Sequence, residues 1–247
     1  MTLTERATST DRFELDGEQI AVPVEVRSAK MVAAQYLVDG DAAQALIDYS
    51  GLRVVRQRGG RAVCALSAVQ YTDNDLGPYH EFAVAFVVEP HDAGPGHRPS
   101  LRRVTTFIHR LPVNQEFTCR VGRGLWGFPK WVTDIDYVER AGHTHCRITE
   151  NGEPVLTFDV APGWIPLPGG EMQMACYSWC DGVLRRTPWV TRSRRLRARP
   201  GGATLQLGGG HPMAEELRSL GLPKAALMTS GTPIMSASFG APEIVPR

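Results

Sequence analysis

The sequence predicts a strand-dominated α+β fold whose many antiparallel strands close into a barrel or stack as a sandwich. Three observations carry this. Short segments of alternating apolar and polar residues recur from about Met31 onward. The turn residues between them, Arg58-Gly59-Gly60, Asn151-Gly152, Asp181-Gly182 and Pro200-Gly201-Gly202, are of hairpin type. Helical patterns are few, which argues against a parallel βαβ sheet. The 247 residues are 43% hydrophobic and 21% charged, enough for a sizeable core, so one domain spanning 1–247 is expected.

In chain order, residues 1–12 are polar and uncapped and read as a mobile lead-in. Asp41–Ser50 reads as a helix, with Ala42, Ala45, Leu46 and Tyr49 on one face and Gly51 as its stop. Asn114–Val121 reads as a second, ended by Gly122. Pro212–Leu220 reads as a third, with Pro212 at a first helical position and Gly221 after it. Strands are predicted at Leu52–Arg58, Ala62–Thr72, Tyr79–Glu89, Arg103–Leu111, Trp131–Glu139, Thr144–Glu150, Val155–Val160, Met174–Leu184, Trp189–Ala198, Thr204–Leu207, Ala225–Ser230 and Ile234–Phe239. The proline- and glycine-bearing stretch Asp92–Ser100 reads as a surface loop.

The net charge of +1 gives no global attraction to nucleic acid or to a membrane surface, and neither is expected as a partner. No apolar run has the length of a membrane span, and Met1–Arg6 lacks a signal peptide's apolar core. Five cysteines without scaffold spacing fit buried reduced thiols, so a cytoplasmic location is expected. Three patterns receive bland readings. His143 and His145 share a strand face but have no evident third ligand, so no metal is expected. The arginines between Arg185 and Arg199 read as a solvated face or a subunit contact. Gly208-Gly209-Gly210 lacks the strand–glycine–helix context of a phosphate loop.

Lys130 stands out. Of 27 basic residues only Lys30, Lys130 and Lys224 are lysines. Arginine stays charged, whereas a lysine in a dry pocket can lose its proton and act as an amine nucleophile. Lys130 sits in Leu125-Trp126-Gly127-Phe128-Pro129-Lys130-Trp131-Val132, the most aromatic surroundings given to any cation here. Pro129 stiffens the entry of Lys130 into a strand. Alternation should put Lys130, Val132 and Asp134 on one face. A second signal is Glu81: Tyr79, Glu81, Ala83 and Ala85 share a strand face, and a carboxylate among small residues suggests a cavity wall. His80 should point the other way.

Together, Leu76-Gly77-Pro78-Tyr79-His80-Glu81 and Val121-Gly122-Arg123-Gly124-Leu125-Trp126-Gly127-Phe128-Pro129-Lys130 resemble the acetoacetate decarboxylase superfamily. The resemblance implies a closed, antiparallel, cone-like β-barrel around a largely apolar cavity. It implies that Lys130 forms a Schiff base with a ketone and that Glu81 is the acidic partner. Where the decarboxylase has a second lysine this chain has Trp131. The nearest match to its second glutamate is Leu66, and Arg27 is merely near the position of its N-terminal arginine.

The sequence-based expectation is therefore a cofactor-free Schiff-base lyase that decarboxylates a β-keto acid. Lys130 and Glu81 are expected to be catalytic, and Tyr79, Trp126 and Phe128 to line the substrate pocket. A keto acid or ketone is the expected partner, and a homo-oligomer the expected assembly. The alternatives are a Schiff-base aldolase or dehydratase acting on an oxo-acid, and a non-catalytic binding barrel. Lys130 is expected to have a depressed pKa, acetoacetate to be a poor substrate, and a larger or differently substituted oxo-acid to be preferred.

Overall fold

The computed structural model describes residues 11–15, 17–93 and 103–246. The chain begins with β1 (Asp11–Leu15) and β2 (Glu18–Val22), paired as a hairpin, then β3 (Val24–Asp39) and α1 (Gly40–Ile47). Next come β4 (Arg61–Asn74), β5 (Tyr79–Val87), β6 (Arg103–Val113), α2 (Glu116–Trp126) and β7 (Lys130–Val132). Then follow β8 (Asp134–Arg140), β9 (His143–Glu150), β10 (Glu153–Val160), β11 (Ile165–Pro166), β12 (Gly170–Cys180) and β13 (Val183–Arg194). The chain ends with β14 (Arg197–Pro200), β15 (Ala203–Leu207), α3 (Pro212–Ser219), β16 (Met228–Phe239) and β17 (Glu243–Val245).

Seven strands close on themselves in the order β16-β3-β4-β5-β6-β12-β13, and β13 pairs back to β16. This is the closed barrel expected, and closure leaves its main wall without an open edge. Every seam is antiparallel except β6–β12, which is parallel. A smaller antiparallel sheet, β15-β10-β9-β8, covers one side. Among the described residues, no helix is long and apolar enough to cross a membrane.

The wall strands bury both faces. On β4 and β5, Leu66, Ala68, Phe82, Val84 and Phe86 face a core shared with Ile148, Leu156 and Phe158 of the smaller sheet. The alternate residues Val69, Tyr71 and Tyr79 face a second cluster with Val26, Val113, Cys119 and Met235. A third cluster joins Val24, Leu76, Leu111, Trp126 and Phe128. A strand between two apolar layers reads as a continuous apolar run, and that is how Tyr79–Val87 reads.

Several sequence expectations are corrected. Residues 1–10 of the lead-in and 94–100 of the surface loop lie outside the described residues, but Asp11 and Arg12 begin β1. In α1 the buried face is Ala43 and Ile47, while Ala45 and Tyr49 are exposed. Alanine carries too little apolar area to decide a face; Ile47 decides it. Leu52–Arg58 forms one isolated bridge, Val54 to Val88. The second helix runs past Gly122 and ends at Gly127, whose φ of 66° suits glycine. Trp131–Glu139 is split at Thr133, whose N–H donates to Val113 O of the barrel at 2.9 Å and whose hydroxyl donates to Thr149 O of the smaller sheet at 2.6 Å. The chain changes sheets there, so the alternation fails: Lys130 is buried while Val132 is 43% exposed. Arg195, at φ 58°, turns the chain between β13 and β14 and interrupts the strand expected at Trp189–Ala198. Ala225–Ser230 and Ile234–Phe239 instead merge into β16, with register shifts between Thr232 and Ala237.

Candidate active site

The site is built where β6, α2 and β7 follow one another. β7 pairs in parallel with β6, Lys130 lying opposite Leu111, so α2 is a short crossover between parallel strands. This is a local exception to the antiparallel expectation. Gln115 caps α2 by accepting from Thr118 N–H at 2.6 Å, and its amide donates to Leu76 O at 2.9 Å. At the other end Gly127 N–H donates to Arg123 O at 3.1 Å and Phe128 N–H to Gly122 O at 3.0 Å. Trp126 Nε1 donates to Gly240 O at 2.9 Å, and Ser178 Oγ donates to Trp126 O at 2.6 Å. Arg123 then donates to Lys130 O at 3.1 Å. The turn carrying Phe128, Pro129 and Lys130 is therefore held from three sides.

Inside the barrel, Lys130 is 3% exposed and Glu81 is 8% exposed. Lys130 Nζ lies 2.9 Å from Glu81 Oε2 and donates to Thr118 Oγ1 at 3.2 Å. It also stands 5.0 Å above the centroid of the Tyr79 ring. The Tyr71 hydroxyl donates to Glu81 Oε1 at 3.1 Å, and the Tyr71 and Tyr79 rings stack at 4.4 Å. All five residues expected from the sequence, Lys130, Glu81, Tyr79, Trp126 and Phe128, line one cavity of about 30 Å³. Val24, Val26, Tyr71, Asn74, Leu76 and Phe239 complete its wall. That volume holds about two waters. A wider cleft of about 1040 Å³, lined by residues such as His91, Tyr177 and Arg186, does not include Lys130.

The electrostatics correct the expectation of a depressed lysine. Burial acts on Lys130 most strongly and favours the neutral amine. The negative charge of Glu81, with contributions from Tyr79 and the Glu81 hydrogen bond, outweighs it, and the pKa lies above its ordinary 10.5. The resting lysine is an ammonium held by a carboxylate. Burial likewise pushes the Tyr79 phenol up to about 12, with the Lys130 charge opposing.

The other sequence signals fall outside the cavity. His80 points away as expected, meeting Ile135 O at 2.9 Å and Gln70 Nε2 at 3.2 Å. Leu66 faces the other core, so it is not a counterpart to a second glutamate; Tyr71 on the same strand is what reaches Glu81. Arg27 is at the surface, paired with Asp73 at 2.8 Å and with Asp75 at 2.5 Å. Trp131 turns from Lys130 and stacks on His211 at 6.1 Å. His143 and His145 stack at 6.3 Å, and His145 pairs with Asp159 at 2.7 Å. No group of three or more potential metal ligands occurs among the described residues. In the arginine-rich segment, Arg186 pairs with Glu243, Arg192 with Glu171, and Arg199 covers Trp164. All five thiols are free; burial pushes Cys64, Cys146 and Cys176 up to about 12, while Cys180 is partly exposed.

Sequence reasoning missed Tyr71, Thr118 and Gly122. A Cβ at Gly122 would lie 2.6 Å from Lys130 Cδ and 2.8 Å from Cε, so this helical glycine makes the space the lysine stem occupies. Its signal was a glycine inside an otherwise helical pattern.

The chain belongs to the acetoacetate decarboxylase (ADC) family, whose profile matches residues 14–241. None of the curated proteins compared with it matches. Among solved structures it is similar to acetoacetate decarboxylase from Legionella pneumophila, with a TM-score of 0.68 at 14% identity, over 91% of this chain and 87% of that one. The enduracididine biosynthesis enzyme MppR complexed with pyruvate gives a TM-score of 0.62 at 15% identity, over 90% of each chain. An acetoacetate decarboxylase-like enzyme from Sphingomonas wittichii RW1 gives 0.56 at 16% identity, over 90% of this chain and 93% of that one. At these identities the likeness is one of fold. The match supports an enzyme of the acetoacetate decarboxylase-like class.

Proposed function

We propose that this chain is a Schiff-base carbon–carbon lyase that decarboxylates a β-keto acid, with Lys130 as nucleophile and Glu81 as its proton partner. The observation that carries the reading is the 2.9 Å Lys130–Glu81 pair, buried among Trp126, Phe128 and Phe239. Glu81 Oε2 takes a proton from the ammonium, giving a neutral amine and a carboxylic acid. The Nζ lone pair attacks the substrate carbonyl, and loss of water leaves an iminium. The bond to the carboxylate breaks, CO2 leaves, and the bonding pair moves into the iminium to give an enamine. The proton held by Glu81 leaves with the water lost on imine formation, so Glu81 is again a carboxylate; it takes up a proton from solvent and delivers it to the enamine carbon, and hydrolysis frees the lysine. The iminium is itself the electron sink, so the chemistry asks for no further cofactor.

A second reading is aldol cleavage or dehydration of an oxo-acid through the same iminium. The cavity wall, with Lys130 the sole cation among the described lining residues, treats the carboxylate of either substrate alike, so what favours this reading is a fold neighbour. The similarly folded MppR has been solved with the condensation product of pyruvate and imidazole 4-carboxaldehyde.

Reduction with cyanoborohydride in the presence of acetone separates both readings from a non-catalytic barrel, which would take up no label. CO2 release from acetoacetate and substituted β-keto acids, beside aldol cleavage of hydroxylated oxo-acids, then separates the two chemistries. Weak release from acetoacetate is expected, since a missing partner at a polar site costs about 1–3 kcal/mol. Efficient turnover of acetoacetate would contradict that expectation.

A further inference from the structure

We propose that Tyr71 is a positioning residue that decides which oxygen of Glu81 exchanges protons with the substrate; the proposal rests on the Schiff-base reading above. Tyr71 belongs to none of the motifs that marked the site. The pairing of β4 with β5 sets it opposite Tyr79, two residues from Glu81. Its hydroxyl donates to Oε1 at 3.1 Å, while Lys130 Nζ lies 2.9 Å from Oε2. The two carboxylate oxygens are thus unequal. Oε1 already accepts a phenolic proton, and Oε2 faces the lysine nitrogen and whatever is bound to it.

Burial, then the charges of Glu81 and Tyr79, keep the Tyr71 phenol protonated, so toward the Glu81 carboxylate it is the donor. At rest both oxygens hold a donor, the phenol on Oε1 and the Lys130 ammonium on Oε2; imine formation strips Nζ to a single N–H and leaves Oε2 the freer base, while the phenol stays on Oε1. A proton taken from carbon beside the iminium therefore goes to Oε2. The C–H electron pair becomes the enamine C=C bond, and the iminium π pair returns to nitrogen. The reverse step delivers the proton from the same oxygen to the same face of the carbon. The other titratable groups around Glu81 are Lys130 on β7, Tyr79 on β5 and Cys176 on β12, with Cys119 on α2 acting on Lys130. Burial raises both thiols, so they stay uncharged at neutral pH.

The test needs no natural substrate. Acetone in D2O reports proton removal as hydrogen–deuterium exchange by NMR, and cyanoborohydride trapping of acetone reports imine formation. In Tyr71→Phe, trapping should stay within about twofold of wild type while exchange falls about tenfold. Because the lost hydrogen bond favoured the charged carboxylate, the acid limb of the exchange profile should move up by about one pH unit. With 3-fluorotyrosine at position 71, a stronger donor of nearly the same size, that limb should move down. Tyr36→Phe removes a buried hydroxyl that has no hydrogen-bond partner among the described residues, and should change neither readout. If Tyr71→Phe fails to fold, the fluorotyrosine protein decides alone. Intact trapping with an unmoved exchange profile overturns the inference and leaves the Schiff-base reading standing. Absence of trapping in the wild-type protein overturns both.

Discussion

Gly122 and Lys130 share one volume. The lysine stem runs across the face of α2 at the point where any side chain on residue 122 would stand, and a Cβ there would come within 2.6 Å of Lys130 Cδ. Glycine inside a helix costs about 0.5–1 kcal/mol relative to alanine. Helix stability is given up here for a buried path to the cavity.

Gly122→Ala should therefore gain helix propensity and lose the site. Overpacking costs about 1–3 kcal/mol, and moving the stem is the way to relieve it. Acetone trapping at Lys130 should fall at least about tenfold, which corresponds to about 1.4 kcal/mol in the barrier. Circular dichroism should still show the folded barrel. Wild-type trapping in this variant would mean that the lysine has another route to the cavity.

Glu81→Gln should separate the two halves of the chemistry. In the wild-type protein the folded pKa of Lys130 lies above 10.5, so the pair's stabilising contribution is present below 10.5 and is lost as pH rises through the folded value. Without the carboxylate, burial is left to act alone, and the amine becomes neutral at lower pH. The midpoint of trapping against pH should move down, while acetone exchange in D2O falls by roughly 10²-fold or more. A midpoint that stays put would show that Glu81 does not hold the lysine charged.

A third expectation concerns the outer core. Glu216 on α3 accepts from Arg110 Nε at 2.8 Å and meets His109 Nε2 at 3.0 Å. Burial alone would raise its pKa, but these partners outweigh burial and bring it down to about 2 from 4.5. A depressed carboxylate stabilises the fold above its unfolded value and loses that contribution as pH falls through the folded one. Glu216→Gln should lower Tm at pH 6, and the gap to wild type should close as pH falls from 4.5 toward 2. Thermal melts across that window check it, and a gap that widens toward acid would contradict it.

How far the sequence could be read depended on how local each signal was. Lys130, Phe128 and Trp126 lie within five residues, and Tyr79 and Glu81 within three, so both halves of the pocket were legible. The strand-and-turn pattern of a barrel was legible too, because alternation and turns are local. Tyr71 was not, because its place opposite Tyr79 depends on the β4–β5 register, and counting outward from the Asn74–Gly77 turn would set it opposite His80, one residue away. Phe239 reaches the cavity from the far end of the chain, through a β16 register that shifts twice. The end of α2 was misread because glycine stops many helices, and here a buried lysine claims Gly122 for space instead. The charge on Lys130 was misjudged for a related reason. Apolar neighbours in sequence announced burial, but Glu81, which reverses the effect of burial, arrives from another strand.

The central claim is that Lys130 is the amine that forms the imine, and reductive trapping followed by peptide mass spectrometry tests it most directly. Lys224 is the sharpest competitor, because burial, with the nearby charge of Arg61, holds its amine below the ordinary value. Lys30 is paired with Glu139 at the surface, 2.6 Å away. With acetone and cyanoborohydride, the isopropyl adduct should fall on the peptide containing Lys130 and disappear in Lys130→Arg, which cannot form an imine. Label on Lys224 or Lys30 with Lys130 unmodified, or label undiminished in Lys130→Arg, would contradict the account.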